Sequence, residues 1–258
     1  MTSDLNFEQD VIYQIEAMKD SDEIQKISHD WLKVANSLRY SYHFKHLGRP
    51  IIQYPQDIVA IQEIIWDIKP DLIIETGIAH GGSLILSASM LALIDMCDSI
   101  KSKVSVNLHE TDRKVLGIDV DIRAHNRTEI EKHPLSCYIQ LIQNSSTNEK
   151  VVNYVQNLAK KYNRVMVFLD SDHTESHVLA ELNAYANLVT KNSYCVVFDT
   201  IIGEMSEDFS MNRPWSPTNN PKTAVKKFLS INNNFEIDSY ISNKLQISVA
   251  QHGYLKRI

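Results

Sequence analysis

The chain has 258 residues, of which 43% are hydrophobic and 22% charged, a composition that suits one large α/β domain or one domain with an appendage. Its net charge of −6 argues against nucleic acid or anionic lipid as the main partner, since both are held chiefly by basic surface. Cys97, Cys137 and Cys195 are widely spaced in apolar surroundings and read as reduced core thiols rather than as a disulfide or zinc framework.

From the N-terminus, Val11, Ile12, Ile15 and Met18, then Ile24, Ile27, Trp31, Leu32, Ala35 and Leu38, recur at helical spacing. They predict two amphipathic helices divided near Asp20-Ser21-Asp22, so residues 1–50 read as a helical appendage and residues 51–258 as the main domain. The apolar positions on these helices suggest a homo-oligomer. The start of the chain lacks the charged and apolar regions of a signal peptide, and no apolar stretch reads as approaching the roughly 18 residues of a membrane span; the expected location is cytoplasmic. Residues 42–50 read as loop, and Pro55 opens a helix that stops before Pro70.

Leu72-Ile73-Ile74-Glu75-Thr76 then reads as a buried strand, Gly77-Ile78-Ala79-His80-Gly81-Gly82 as a glycine-rich turn, and Leu84 to Ile94 as the helix that follows. Gly77 permits a positive φ, and Gly81 and Gly82 remove side chains where a ligand would approach the helix N-terminus. Asp98 to Asp112 reads partly as loop with one possible short strand. Residues 115–121, 137–142, 165–170 and 194–199 supply four further strands, three of them closed by acids, with helices over 151–158 and around Leu179 to Val189. This alternation predicts a mostly parallel sheet covered on both faces, with ligands at the carboxyl ends of its strands. Residues 201–221 carry Pro214, Pro217, Asn219 and Asn220 and read as a long loop or lid, with Met211, Arg213 and Trp215 placed to touch a substrate. After a helix at Val225 to Leu229, residues 235–238 and 245–250 alternate as an antiparallel edge pair.

The turn after the first main strand fits neither the G-x-G-x-x-G dinucleotide fingerprint nor a phosphate-binding P-loop. An acid at Glu75 favours a ligand carrying positive charge and would repel a pyrophosphate; S-adenosylmethionine, with its sulfonium and ammonium, fits. Asp119 is placed for a ribose diol, with a helix cap as the plain alternative for it and for Asp121. Ser145 and Ser146 stand where an adenine would lie, or merely in a turn. Asp170 and Asp199, at the ends of two strands, would hold a divalent cation if those strands are neighbours, and His173 suits a general base. Asp172 reads either as a further ligand or as an N-cap forming a capping box with Glu175. His173 and His177 at i, i+4 give only a weak zinc pattern.

Glu75-Thr76-Gly77 with His80-Gly81-Gly82-Ser83, Gly117-Ile118-Asp119-Val120-Asp121-Ile122-Arg123 with His125-Asn126-Arg127, and Leu169-Asp170-Ser171-Asp172-His173 together resemble the cephalosporin hydroxylase family. The later segments 219–225 and 253–257 are similar to it as well. The resemblance implies a Rossmann-like class I methyltransferase fold and kinship with rhamnosyl and macrolide-sugar O-methyltransferases. It implies cofactor contacts from Glu75, Gly77, Ser83 and Asp119 and through the His80-Gly81 turn, a magnesium ligand at Asp170, a base at His173 and a further metal ligand at Asp199. The related metal-dependent enzymes carry Glu-Asp where this chain has Phe198-Asp199, which weakens the metal site unless Asp172 or Glu204 substitutes.

The expected activity is S-adenosylmethionine-dependent methylation of a hydroxyl on a sugar or sugar-containing small molecule, as in polysaccharide biosynthesis, with His173 and Asp170 as catalytic residues and Mg2+ as a possible second cofactor. An oxidoreductase acting on a nucleotide-linked substrate, or a non-catalytic binding protein, are the alternatives.

Overall fold

The computed structural model describes residues 2–105 and 107–258, and the side chains of all of these except residues 2–5 and 108. Helix α1 (Thr2–Lys19) and helix α2 (Asp22–Ser37) meet at Ser21, whose hydroxyl caps α2 by accepting from the Ile24 N–H. Asp22 and Glu23 in the first turn of α2 complement its dipole. A short hairpin, β1 (Phe44–His46) and β2 (Arg49–Ile51), leads to α3 (Pro55–Ile68), which starts on Pro55 and ends where Lys69 turns left-handed and donates to the Ile65 carbonyl.

The main sheet is then laid down as strand and helix in alternation: β3 (Leu72–Thr76), α4 (Gly82–Ser102), β4 (Lys114–Asp119), α5 (Ala124–Glu131), β5 (Ile139–Gln143), α6 (Glu149–Ala159), β6 (Val165–Leu169), α7 (Glu175–Tyr185) and β7 (Tyr194–Val197). It closes with α8 (Pro221–Ile231), β8 (Phe235–Ile237), α9 (Ser239–Leu245) and β9 (Tyr254–Arg257). The strand order is β5-β4-β3-β6-β7-β9-β8, parallel through β7, with β9 inserted antiparallel between β7 and β8. β3 and β6 are central neighbours, and β6 lies beside β7. The acids at the ends of β4, β6 and β7 are thereby brought to one edge of the sheet, as the alternation predicts.

The sheet strands β3 to β7 and β9 send side chains to two cores. Ile73, Val115, Met166, Phe168, Val196 and Tyr254 pack under α3 and α4, while Leu72, Ile74, Leu116, Ile118, Val165, Val167 and Leu255 pack under α6, α7 and α8. Each fully buried aliphatic side chain contributes about 1.5–3 kcal/mol, so the sheet is the stable frame on which the loops are hung. Leu32 of α2 joins the first core beside Ile51 and Tyr54, so the N-terminal region is packed onto the frame. Cys195 is buried, Cys97 and Cys137 half-buried, and no disulfide joins them.

The structure departs from the sequence reading in five places. Residues 42–50, read as loop, carry the paired strands β1 and β2. By length and composition α4 is long and apolar enough to cross a bilayer, contrary to the reading that no stretch approaches that length. Its Leu84, Ile85, Ala88, Leu91 and Ile94 are fully buried in the fold, which accounts for the hydropathy. The possible strand between Asp98 and Asp112 is not formed among the described residues, which exclude Val106; α4 runs on to Ser102, and a short 3-10 turn covers Leu108–Glu110. Residues 245–250 are not the second edge strand, which is β9. Ser248 Oγ and the Val249 N–H both donate to the buried Asp57 carboxylate, and Gln246 at φ 59° breaks extended geometry, so this segment is spent on a polar knot with Tyr254. Residues 200–210 are two 3-10 turns rather than a free loop, with Ile201, Ile202 and Met205 buried.

Candidate active site

The carboxyl ends of β3 to β7 open into one cleft of about 1000 Å³, lined by Gly77, His80, Ser83, Asp119, Ser145, Asp170, Asp172, His173 and Asp199 among others. Gly77 at φ 79° lies so close to β6 that a Cβ would enter the Asp170 carbonyl group and come within 2.7 Å of Ser171 Cα. A Cβ at Gly82 would meet the Pro50 carbonyl and sit 2.7 Å from Ile51 Cα, and one at Gly81 would lie 2.6 Å from Ile130 Cγ1. The glycines therefore admit the protein's own β2, β6 and α5 rather than clearing space for a ligand, and Gly81 does not line the cleft. Arg49 fastens the turn from outside, donating through Nε and Nη2 to the His80 carbonyl at 3.0 and 2.8 Å and through Nη2 to Asn126 Oδ1 at 2.9 Å.

Glu75 is 1% exposed and lines a small cavity behind the cleft, screened by Ser83, whose hydroxyl donates to Glu75 Oε1; Oε2 has no partner. Burial pushes its carboxyl up to about 8, opposed by the Ser83 hydrogen bond and reinforced by the Asp119 charge. A folded-state value above the unfolded one means that the folded chain holds the extra proton. Stability from this group is full below about 4.5 and is lost as the pH rises through about 8. Thermal unfolding of the ligand-free protein should accordingly show a lower Tm at pH 8.5 than at pH 6, and Glu75→Gln should flatten that slope.

Asp119 secures the same turn. Its Oδ2 accepts from the Ile78 N–H at 2.9 Å and the Ala79 N–H at 3.4 Å, and its Oδ1 from the Asp121 N–H at 3.0 Å. An ionised carboxylate has about four acceptor positions, so capacity remains toward the cleft. Asp121 itself is exposed and outside the lining; it serves through its backbone. Ser145 and Ser146 both line the cleft, and Ser146 Oγ lies 3.2 Å from His177 Nε2, which is 3.4 Å from the buried Glu181.

At the ends of β6 and β7, Asp170, His173 and Asp199 bring ligand atoms within 4.8 Å of one another. His173 Nε2 is 3.0 Å from Asp199 Oδ2, its ring stacks on Trp215 at 6.0 Å, and its Nδ1 is buried without a partner. Burial alone would lower the His173 pKa, but the Asp199 charge and hydrogen bond outweigh it and the net shift is upward. Asp170 is raised well above the carboxylate range by burial and by the Asp199 and Glu75 charges, and accepts from Gln53 Nε2 at 3.1 Å. Asp199 holds a left-handed φ of 56°, a strained conformation of the kind that collects at functional sites.

Asp172 stands outside this cluster. Its Oδ1 accepts from the Thr174 N–H at 2.8 Å and hydroxyl at 2.6 Å, while Thr174 is the N-cap of α7 and Glu175 pairs with Lys227 at 2.5 Å, so the predicted capping box is not formed. Glu204 pairs with Lys222 at 2.5 Å and does not line the cleft. Phe198 packs edge-on against Phe168 at 6.2 Å, where a carboxylate would find an apolar wall. Of the lid residues, Arg213 and Trp215 line the cleft and Met211 does not. Gln53, Arg49 and the wall formed by Lys33, Asn36, Arg39 and Tyr42 escaped sequence reasoning, because they reach the site only through the packing of α2 and β2.

Comparison with known proteins places this geometry in a family. Residues 38–258 match the family model described as rhamnosyl O-methyltransferase/CmcI. The rhamnosyl O-methyltransferases of Mycobacterium bovis (strain BCG / Pasteur 1173P2) and Mycobacterium tuberculosis (strain ATCC 25618 / H37Rv) are each 26% identical over 205 residues, covering 78% of this chain and 73% of theirs. A structure of CmcI with magnesium and S-adenosylmethionine superposes with a TM-score of 0.55 at 16% identity, covering 84% of this chain and 77% of that one, a likeness of fold. The chain belongs to the rhamnosyl O-methyltransferase/CmcI family and has the class I methyltransferase fold.

Proposed function

We propose that this member of the rhamnosyl O-methyltransferase/CmcI family methylates a hydroxyl of a sugar or sugar-containing small molecule, using S-adenosylmethionine. The observation that carries the reading is the Asp170, His173 and Asp199 cluster, held at adjacent strand ends in the cleft that the Gly77 turn opens into. The mycobacterial relatives, named for a rhamnosyl acceptor, support the sugar. The cleft fits the cofactor in its turn, in its remaining Asp119 acceptor capacity and in the serines at the end of β5.

Bound S-adenosylmethionine supplies a methyl already activated by its sulfonium, so the protein's work is alignment and removal of one proton. Alignment is worth as much as about 7–11 kcal/mol of barrier. Ser83, whose hydroxyl is held by Glu75, and Asp119 would be the groups placed to receive the cofactor's ammonium end and its ribose. His173 holds its Nε2 proton toward Asp199, which leaves Nδ1, without a partner in the fold, to take the proton of the acceptor hydroxyl. The buried residues of the 200–210 turns anchor that loop while its tip, with Arg213 and Trp215, excludes water.

The donor set suits a divalent cation: Asp170 and Asp199 offer hard oxygens, and the cation would add Lewis-acid polarisation of the hydroxyl. Asp172 is committed to Thr174, and Phe198 replaces a carboxylate, so such a site has fewer anionic ligands than the Glu-Asp pattern gives. Residues 1–50 act as an appendage that walls the cleft, and their exposed Phe7, Ile12 and Tyr13 support self-association. Titration with S-adenosylmethionine, S-adenosylhomocysteine and NAD tests the assignment, with binding of the first two expected and none of the third.

A further inference from the structure

The cleft is acidic at the strand ends, through Asp119, Asp170, Asp172 and Asp199, but the elements that wall it are not. Lys33 of α2, Arg39 just beyond α2 and Arg213 of the 200–220 loop all line it, and among the described residues none of the three is ion-paired with a carboxylate. Asp208, the acid that the same loop adds to the lining, forms no ion pair with Arg213. Other cations near the cleft loop are tied to acids, Lys222 to Glu204 and Lys227 to Glu175, and so are not offered to a ligand.

Each arginine instead lies over an aromatic ring of the same cleft, Arg39 at 6.0 Å from the Tyr42 centroid and Arg213 at 5.8 Å from that of Trp215. Such stacking orients a guanidinium and leaves its planar donors free for the paired oxygens of a phosphate. Three cations lining one cleft, two from the end of α2 and one from the 200–220 loop, offer more donors than a single carboxylate would use and suit an extended anion of two phosphates.

We propose that the methyl acceptor is a glycosyl diphosphate, with its sugar hydroxyl at His173 and its diphosphate held by Lys33, Arg39 and Arg213. This rests on the methyltransferase reading above. Such an acceptor arises from a nucleoside diphosphate or from a lipid diphosphate, and the diphosphate is what both share.

The test is calorimetric titration of the full chain, saturated with S-adenosylhomocysteine and kept in EDTA, with inorganic pyrophosphate, uridine diphosphate and farnesyl diphosphate. Pyrophosphate should bind the wild type, and the double variant Arg39→Gln, Arg213→Gln should bind it at least tenfold more weakly while keeping its S-adenosylhomocysteine affinity. Uridine diphosphate binding more tightly than pyrophosphate supports the nucleotide form of the acceptor, and farnesyl diphosphate binding more tightly supports the lipid form. No pyrophosphate binding to the loaded protein, or equal binding by the double variant, overturns the proposal and leaves the methyltransferase reading standing. Failure of S-adenosylhomocysteine to bind overturns that reading, and with it the proposal.

Discussion

Replacing His173 by alanine is expected to lower kcat by about 100- to 10,000-fold, the usual worth of a positioned general base, while leaving S-adenosylmethionine affinity within about twofold. The imidazole is held from two sides, by Asp199 at 3.0 Å and by the Trp215 ring, so its removal withdraws a proton acceptor without touching the turn at Gly77. His173→Gln, which keeps a polar side chain but cannot take a proton, should be nearly as slow. The raised pKa fixes the sign of the pH dependence: the base works only when neutral, so activity should fall as the pH drops through a value above the ordinary 6.5. In the variant that acid limb should vanish. Parallel assays in EDTA separate the cation from the base: chelation should slow the wild type if Asp170 and Asp199 hold a metal. Turnover retained by His173→Ala would remove the residue from the mechanism.

Gly77→Ala is expected to be the most damaging single-methyl change in the site. The added carbon meets the Asp170 carbonyl and the Ser171 backbone, neither of which can rotate away, and a left-handed φ adds about 1–2 kcal/mol of its own. A loss of at least about 3 kcal/mol follows, which at about 2–4 °C per kcal/mol for a domain of this size lowers Tm by roughly 6–12 °C. Gly48→Ala is the matched control: it also has a positive φ, of 90°, but no atom lies within 4 Å of its added carbon. A Gly77→Ala Tm within a degree or two of that control would show that β3 and β6 do not meet as closely as described.

The strands of the parallel sheet were legible because each is a short apolar run ended by an acid or a glycine, and burial on both faces enforces such runs. Their order was not, and Asp170 meets Asp199 only because β6 pairs with β7. Composition could place Glu75 near the ligand turn but not show that Ser83 screens it from the cleft. The alternation at 245–250 misled because the Ser248 hydroxyl and the Val249 N–H are spent on the buried Asp57 carboxylate, and Gln246 at positive φ breaks the extended run, neither of which the apolar pattern reveals. Gln53 and Arg39 gave no local signal, since their roles come from α2 and β2 packing over the sheet. Asp172 is neither the capping box nor the metal ligand that its spacing suggested, since its carboxylate is taken by the Thr174 N–H and hydroxyl.

The central claim is that the cleft at the ends of β3 to β7 binds S-adenosylmethionine. Calorimetric titration of the wild type with S-adenosylmethionine and S-adenosylhomocysteine, beside Asp119→Ala, tests it most directly. One site per chain, weakened at least tenfold by Asp119→Ala, is the result predicted. No heat of binding from either ligand in the folded wild-type protein would contradict it.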